Sequence, residues 1–149
     1  MKIRRYHQLF SDFLNSMNGG MRMQVKDIMT KKVEFIDGSK TVADAVKKMN
    51  QHNVSSLIVD HRGIEDAYGI VTRKDVVNKI VAAGADPHTT KVADIMSKPL
   101  VFASPGLEHK YAARLLSNTG FRRLPVFDGK VIIGMLSNSD LFAAFSKTI

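Results

Sequence analysis

The chain has 149 residues, 44% of them apolar and 24% charged, with a formal net charge of +8 and no cysteine. That size and balance suit one compact globular domain, or two small repeats sharing a core, and the lack of cysteine rules out disulfides, thiolate metal sites and cysteine nucleophiles. No apolar run approaches the roughly 18 residues of a membrane span.

Residues 1–24 read as a separate element. Tyr6, Phe10, Phe13, Leu14 and Met17 fall on one face of a helix, and Asn18-Gly19-Gly20 supplies a stop. Such a face predicts packing on the chain's own domain or on a second subunit. His7, Gln8, Asp12 and Asn15 interrupt the segment, so it lacks the apolar core of a signal peptide. The expected location is cytoplasmic.

From Val25 the chain repeats itself. Val25-Lys26-Asp27-Ile28-Met29-Thr30 returns 67 positions later as Val92-Ala93-Asp94-Ile95-Met96-Ser97. Each opener precedes a short apolar run that predicts a strand, over 33–36 and 100–103. Turn signals follow. Ser39 is placed to cap the next helix of the first copy, and Ser104-Pro105 reads as N-cap and first helical residue in the second. The helices that follow carry Val42, Ala45, Val46 and Met49, then Leu107, Tyr111, Leu115 and Leu116, at helical spacing.

Residues 55–60 and 122–127 read as strands. They return through a loop around 61–66 in the first copy and an Asp128-Gly129 hairpin turn in the second, giving strands over 67–71 and 131–136. Each copy then closes on one phrase: Gly69-Ile70-Val71-Thr72-Arg73-Lys74-Asp75, and Gly134-Met135-Leu136-Ser137-Asn138-Ser139-Asp140. A last helix carries Val76, Val77, Ile80 and Val81, or Leu141, Phe142 and Phe145. Residues 83–91 connect the copies.

Each unit is β-α-β-β-α. A helix joins its first two strands, which favours a parallel pair, and a hairpin joins the next two. The fold class is α+β, with a mixed three-stranded sheet per repeat, over 25–83 and 92–146. About sixty residues of this kind are marginal alone, so the copies are expected to pack on each other.

Two such units, opened by Val-x-Asp-Ile-Met-Thr/Ser and closed by Gly-x-x-Thr/Ser-x-x-Asp, resemble a CBS domain pair, or Bateman module, over residues 25–146. The resemblance implies clefts between the repeats that hold adenosine-containing ligands: AMP, ADP, ATP or S-adenosylmethionine. It also implies a regulatory rather than catalytic role, output through a partner protein, and pairing into a homodimer.

Thr72 with Asp75, and Ser137 with Asp140, have the form of a capping box at a strand-to-helix joint. The same joint offers free N–H groups and a dipole end to a phosphate, while a short carboxylate accepts from ribose hydroxyls. The resemblance implies that these residues do both. Gly69 and Gly134 suit either close strand packing or room for a ligand. Met29 and Met96 suit core packing, although the family places their segment near the adenine.

Arg122 and Arg123 suit a solvated strand end or a phosphate contact. By resemblance they would serve the ligand held by Thr72 and Asp75, and the matching Ser55 and Ser56 are neutral. The two clefts are therefore expected to be unequal, with AMP, ADP or ATP favoured over the cationic S-adenosylmethionine. The five histidines show no metal-ligand spacing. The chain has no Gly-x-Ser-x-Gly, P-loop or His-Glu-x-x-His motif, so neither a metal nor catalysis is expected. Two other readings stand beside the sensor: an interaction module with empty clefts, and a nucleic-acid-binding regulator using the positive charge. No run of five or six basic residues supports the latter.

Overall fold

The computed structural model describes residues 22–63, 66–98 and 100–149. The helix expected from Tyr6 to Met17 lies outside them. The chain forms two compact units, one running Lys32–Val101 and the other joining the segment ending at Lys31 to Phe102–Ile149.

In the Lys32–Val101 unit, β1 (Phe35–Ile36) pairs in parallel with β2 (Ser56–Val59), and β2 pairs antiparallel with β3 (Gly69–Thr72). This is the expected mixed three-stranded sheet. Helix α2 (Val42–His52) buries Val42, Ala45 and Met49 against it. Its cap is Thr41 rather than Ser39. The Thr41 hydroxyl accepts from Asp44 N–H at 3.1 Å, and the Asp44 carboxylate accepts from Thr41 N–H at 3.2 Å. Ser39 lies earlier, in a turn where its N–H donates to Asp37 Oδ1 at 2.7 Å.

After β3 a helix begins as α3 (Arg73–Val76) and widens into a π turn over Val77–Val81. There the Ala82 N–H reaches back five residues to the Val77 carbonyl at 2.9 Å. Ile80 is buried, whereas Val77 and Val81, expected on the same inward face, are exposed. The turn α4 (Val92–Ile95) completes this unit's core through Val92 and Ile95.

The other unit contains the turn α1 (Val25–Ile28), helix α5 (His109–Thr119), strands β4 (Arg123–Phe127) and β5 (Ile132–Ser137), and helix α6 (Asn138–Ser146). Strands β4 and β5 form an antiparallel pair. The strand expected over 100–103 shrinks to one parallel bridge between Ala103 and Val126. The cause lies in β4. In the first repeat Ile58 N–H donates to the Glu34 carbonyl at 2.9 Å. The matching residue is Pro125, which has no N–H to give, so the ladder stops.

Helix α5 starts at His109 after Glu108, not at Ser104-Pro105. Residues 104–107 form a turn closed by Leu107 N–H on the Ser104 carbonyl at 3.1 Å. Ala112 and Leu116 are the buried residues of α5. Tyr111 points outward beneath Lys110 and Arg114.

The two openers are exchanged. Val25, first in sequence in repeat one, is fully buried in the core that holds Leu124, Val126 and Leu136 of repeat two. Val92 of repeat two is fully buried with Leu57, Val59 and Val71 of repeat one. The hydrogen bonds match. Val25 and Lys26 N–H donate to the Leu107 and Pro105 carbonyls at 2.8 and 3.0 Å, while Val92 and Ala93 N–H donate to Lys40 and Gly38 at 2.9 Å each. Each sequence repeat thus lends its first turn to the other's core.

Candidate functional site

The closing phrase forms the same joint twice. In the Lys32–Val101 unit, Thr72 ends β3 with extended backbone and the next residue begins the helix. The Asp75 Oδ2 accepts from Thr72 N–H and from the Thr72 hydroxyl, both at 2.9 Å, while Asp75 N–H donates to Thr72 Oγ1 at 3.2 Å. In the other unit, Asp140 Oδ2 accepts from Ser137 N–H at 2.8 Å and from its hydroxyl at 2.9 Å, and Asp140 N–H donates to Ser137 Oγ at 3.1 Å. These are complete capping boxes, so the structural half of the dual expectation holds at both joints.

Each joint is braced by the start of the neighbouring strand. Arg73 N–H donates to the Ser55 carbonyl, and Asn138 N–H to the Arg122 carbonyl, both at 3.0 Å. Ser56 stands opposite Thr72 in the ladder, and Arg123 opposite Ser137. The serine pair therefore belongs to the unit of Thr72 and Asp75, and the arginine pair to the unit of Ser137 and Asp140. Ser56 is buried.

The opener of the other repeat closes the second side of each joint. Ile70 and Ser97 exchange hydrogen bonds at 3.0 and 2.9 Å, and Met135 and Thr30 exchange them at 2.8 and 2.9 Å. This pairing explains the glycines. A Cβ on Gly69 would lie 2.8 Å from Met96 Sδ and 3.2 Å from the Ser97 carbonyl, and one on Gly134 would lie 2.5 Å from Met29 Sδ and 2.8 Å from the Thr30 carbonyl. Close packing of the opener accounts for both glycines. Met29 and Met96 are half-buried and pack against the two cores.

One residue of the joint lies outside the repeated phrase. Lys79 places its ammonium 3.3 Å from Asp75 Oδ1 and donates to the Ile95 carbonyl at 2.6 Å. Its spacing, four residues after an aspartate on a helix, is the sequence signal for such a pair. Elsewhere in this unit an open groove of about 810 Å³ is lined by Lys40, Lys48 and Arg62 but equally by Asp37, Asp44 and Asp60, so it has no net charge to offer an anion. Among the described residues, no group of three His, Asp, Glu or Cys is placed to hold a metal ion, and no helix is long and apolar enough to cross a membrane.

Two exchanged β-α-β-β-α repeats, each closed by a hydroxyl-aspartate joint, define a tandem pair of small α+β domains. The CBS domain model matches residues 25–82 and 92–147, and the chain belongs to that family as a CBS-pair regulatory module. It is 37% identical over 130 residues to the mitochondrial CBS domain-containing protein CBSX3 of Arabidopsis thaliana, covering 80% of this chain and 63% of that protein. The chain thus spans less than two thirds of that relative's length. The CBS domain-containing protein YhcV of Bacillus subtilis is 32% identical, with 78% of this chain and 81% of that protein covered.

Among solved structures, a hexameric CBS-CP12 protein from bloom-forming cyanobacteria matches with a TM-score of 0.79 and 48% identity, over 82% of this chain and 67% of that one. The CBS domain pair of MJ0100, solved with 5'-methylthioadenosine and S-adenosyl-L-methionine, matches with a TM-score of 0.74 over 87% of this chain and all of that one. At 21% identity that likeness is one of fold.

Proposed function

We propose that this CBS pair is a non-catalytic sensor that binds adenine nucleotides at its two joints and passes the bound state to a partner protein. The observation that carries the reading is the joint itself. The same phrase is built twice, with the same three hydrogen bonds, each time at a helix start and beside an exchanged opener. Thr72 and Ser137 are the candidate donors to phosphate, and Asp75 and Asp140 the acceptors for ribose hydroxyls. Arg122 and Arg123 are the candidate phosphate contacts. Met29 and Met96 flank the joints where an adenine would lie.

The adenosyl ligands in the MJ0100 pair support the ligand class. The net charge of +8 favours AMP, ADP or ATP over cationic S-adenosylmethionine in this chain. Because each joint combines a strand of one repeat with the opener of the other, a ligand there would act on both repeats at once. Assembly into a homodimer or larger ring would carry that change to the partner, and the hexameric CBS-CP12 relative is a precedent for assembly.

The test is thermal melting and titration calorimetry of the full chain with AMP, ADP, ATP, S-adenosylmethionine and a DNA or RNA oligomer. A ligand at one hundred times its Kd adds about 2.7 kcal/mol, or several degrees at this size. Asp75→Ala and Asp140→Ala should each remove part of the nucleotide response. A flat response to every nucleotide refutes the sensor, and stabilisation by the oligomer alone, erased by salt, replaces it with the nucleic-acid reading.

A further inference from the structure

The two joints have equal hydrogen-bond geometry and unequal charge. Asp75 Oδ2 is filled by the two donors of Thr72, and Oδ1 faces the Lys79 ammonium at 3.3 Å, so both carboxylate oxygens are engaged. The residue four beyond Asp140 is Ala144, which is buried. The π turn makes this difference possible. In the helix after Asp140 the buried residue is the fourth, Ala144; in the helix after Asp75 it is the fifth, Ile80. The wide turn over Val77–Val81 inserts one residue before the core contact. That leaves the fourth position outside the core, where a lysine fits. Lys79 is 44% exposed and Asp75 is 16% exposed at their side chains. A π turn marks functional positions in many helices, and this one sets a cation against the carboxylate of the joint.

We propose that Lys79 determines the charge preference of the Thr72–Asp75 joint, an inference that rests on the nucleotide-binding reading above. A ribose diol that takes Oδ1 displaces the ammonium. The bond to the Ile95 carbonyl, 2.6 Å long and independent of Asp75, keeps the ammonium beside the ligand. It has then lost its counter-charge. A phosphorylated adenosine brings a new one, a neutral nucleoside brings none, and a sulfonium adds like charge. The Asp140 joint has Ala144 at the matching distance and lacks this lysine.

The test compares AMP with adenosine by titration calorimetry on the full chain in an Asp140→Ala background, so that one joint is read. The variants are Lys79→Met, Lys79→Gln and Lys79→Arg. One charge within a Debye length of the ligand changes relative affinities by about three- to tenfold. The preference for AMP over adenosine should fall by that factor in Lys79→Met and Lys79→Gln, chiefly through tighter adenosine. It should persist in Lys79→Arg, and the difference should shrink at about 0.5 M salt. Adenosine binding that appears only once Lys79 is neutralised also supports the proposal. An unchanged ratio with binding intact overturns the role of Lys79 and leaves the nucleotide reading standing. No binding of either ligand to any of the four chains overturns the role of Lys79, and no binding to the parent chain as well overturns both.

Discussion

Adding one methyl group at Gly134 tests whether the closing phrase needs its glycine for packing. Neither Gly69 nor Gly134 is among the residues with positive φ, so alanine is conformationally allowed at both and should gain about 0.4–1 kcal/mol from a stiffer unfolded chain. The steric term opposes this. At Gly134 the new Cβ would meet Met29 Sδ at 2.5 Å and the Thr30 carbonyl at 2.8 Å. The sulfur can swing away. The carbonyl is held by Met135 N–H at 2.8 Å, so the opener must lift off β5. Overpacking of this kind costs about 1–3 kcal/mol, which leaves a net loss of about 1–2 kcal/mol. For a chain of this size that lowers Tm by about 2–8 °C. At Gly69 the sulfur contact is 2.8 Å and the carbonyl contact 3.2 Å, so Gly69→Ala should shift Tm by no more than about 2 °C. Calorimetry of the two full-length variants, without ligand, measures both. A Gly134→Ala chain melting within about a degree of the parent, or a Gly69→Ala chain melting below the Gly134→Ala chain, refutes the packing account. A loss confined to the ligand response would reassign the glycine to the ligand.

Ser137→Ala removes the acceptor for Asp140 N–H and one donor to Asp140 Oδ2, and should cost about 1 kcal/mol of cap stability in a thermal melt; Ser137→Thr, which copies the Thr72 joint, should cost less than half of that. The Lys98 ammonium bonded to Asp66, with the Arg62 N–H, holds that carboxyl down to about 2. Its folded pKa lies below the ordinary value of about 3.9, so its stabilising effect is complete above about pH 4 and is lost as pH falls towards 2. NMR titration should place the Asp66 midpoint near 2, and Lys98→Met should return it towards the ordinary carboxylate range. Val25→Ala opens a small cavity in a core made otherwise of repeat two. It should cost about 1–3 kcal/mol and speed amide exchange in β4 and β5 more than in β1–β3, the reverse of what its place in the sequence suggests.

The joints were legible because a hydroxyl residue three before an aspartate, at the end of an apolar run, carries its own mechanism. Thr72 with Asp75 and Ser137 with Asp140 fold as that pattern dictates. The short first strand of repeat two was also legible in principle, since Pro125 stands where Ile58 must donate, but that inference requires the register as well as the pattern. Thr41, not Ser39, caps α2 because it stands directly before Val42, whereas Ser39 lies in the turn that its N–H closes on Asp37. The π turn left no sequence trace. Val76, Val77, Ile80 and Val81 fit a regular helix equally well, and only burial shows that Ile80 turns inward alone among the last three. Nor could the pattern reveal the exchange of openers. Val25 and Val92 are the same residue in the same phrase, and either would fill either core.

That exchange decides what the duplicated unit can do. A single repeat, cut at the boundaries of its sequence, would carry Gly69–Thr72 but not Met96 and Ser97, which close the joint from the other side. It would also lose Val92 and Ile95 from its core, both nearly or fully buried, and about sixty residues have little stability to spare. The Thr72–Asp75 joint is therefore complete only in a piece that runs on from repeat one into the second opener, as Lys32–Val101 does. A ligand seated at a joint would touch a strand and helix start from one repeat and an opener from the other. Lys79 already spans that seam in the Lys32–Val101 unit, with Asp75 on one side and the Ile95 carbonyl on the other. Any ligand that takes Asp75 from Lys79 changes how α3 is tied to α4, whereas Ala144 provides no such tie in the other unit. Duplication produced two joints of one geometry, and a single lysine on a widened helical turn gives one of them a response that the other lacks.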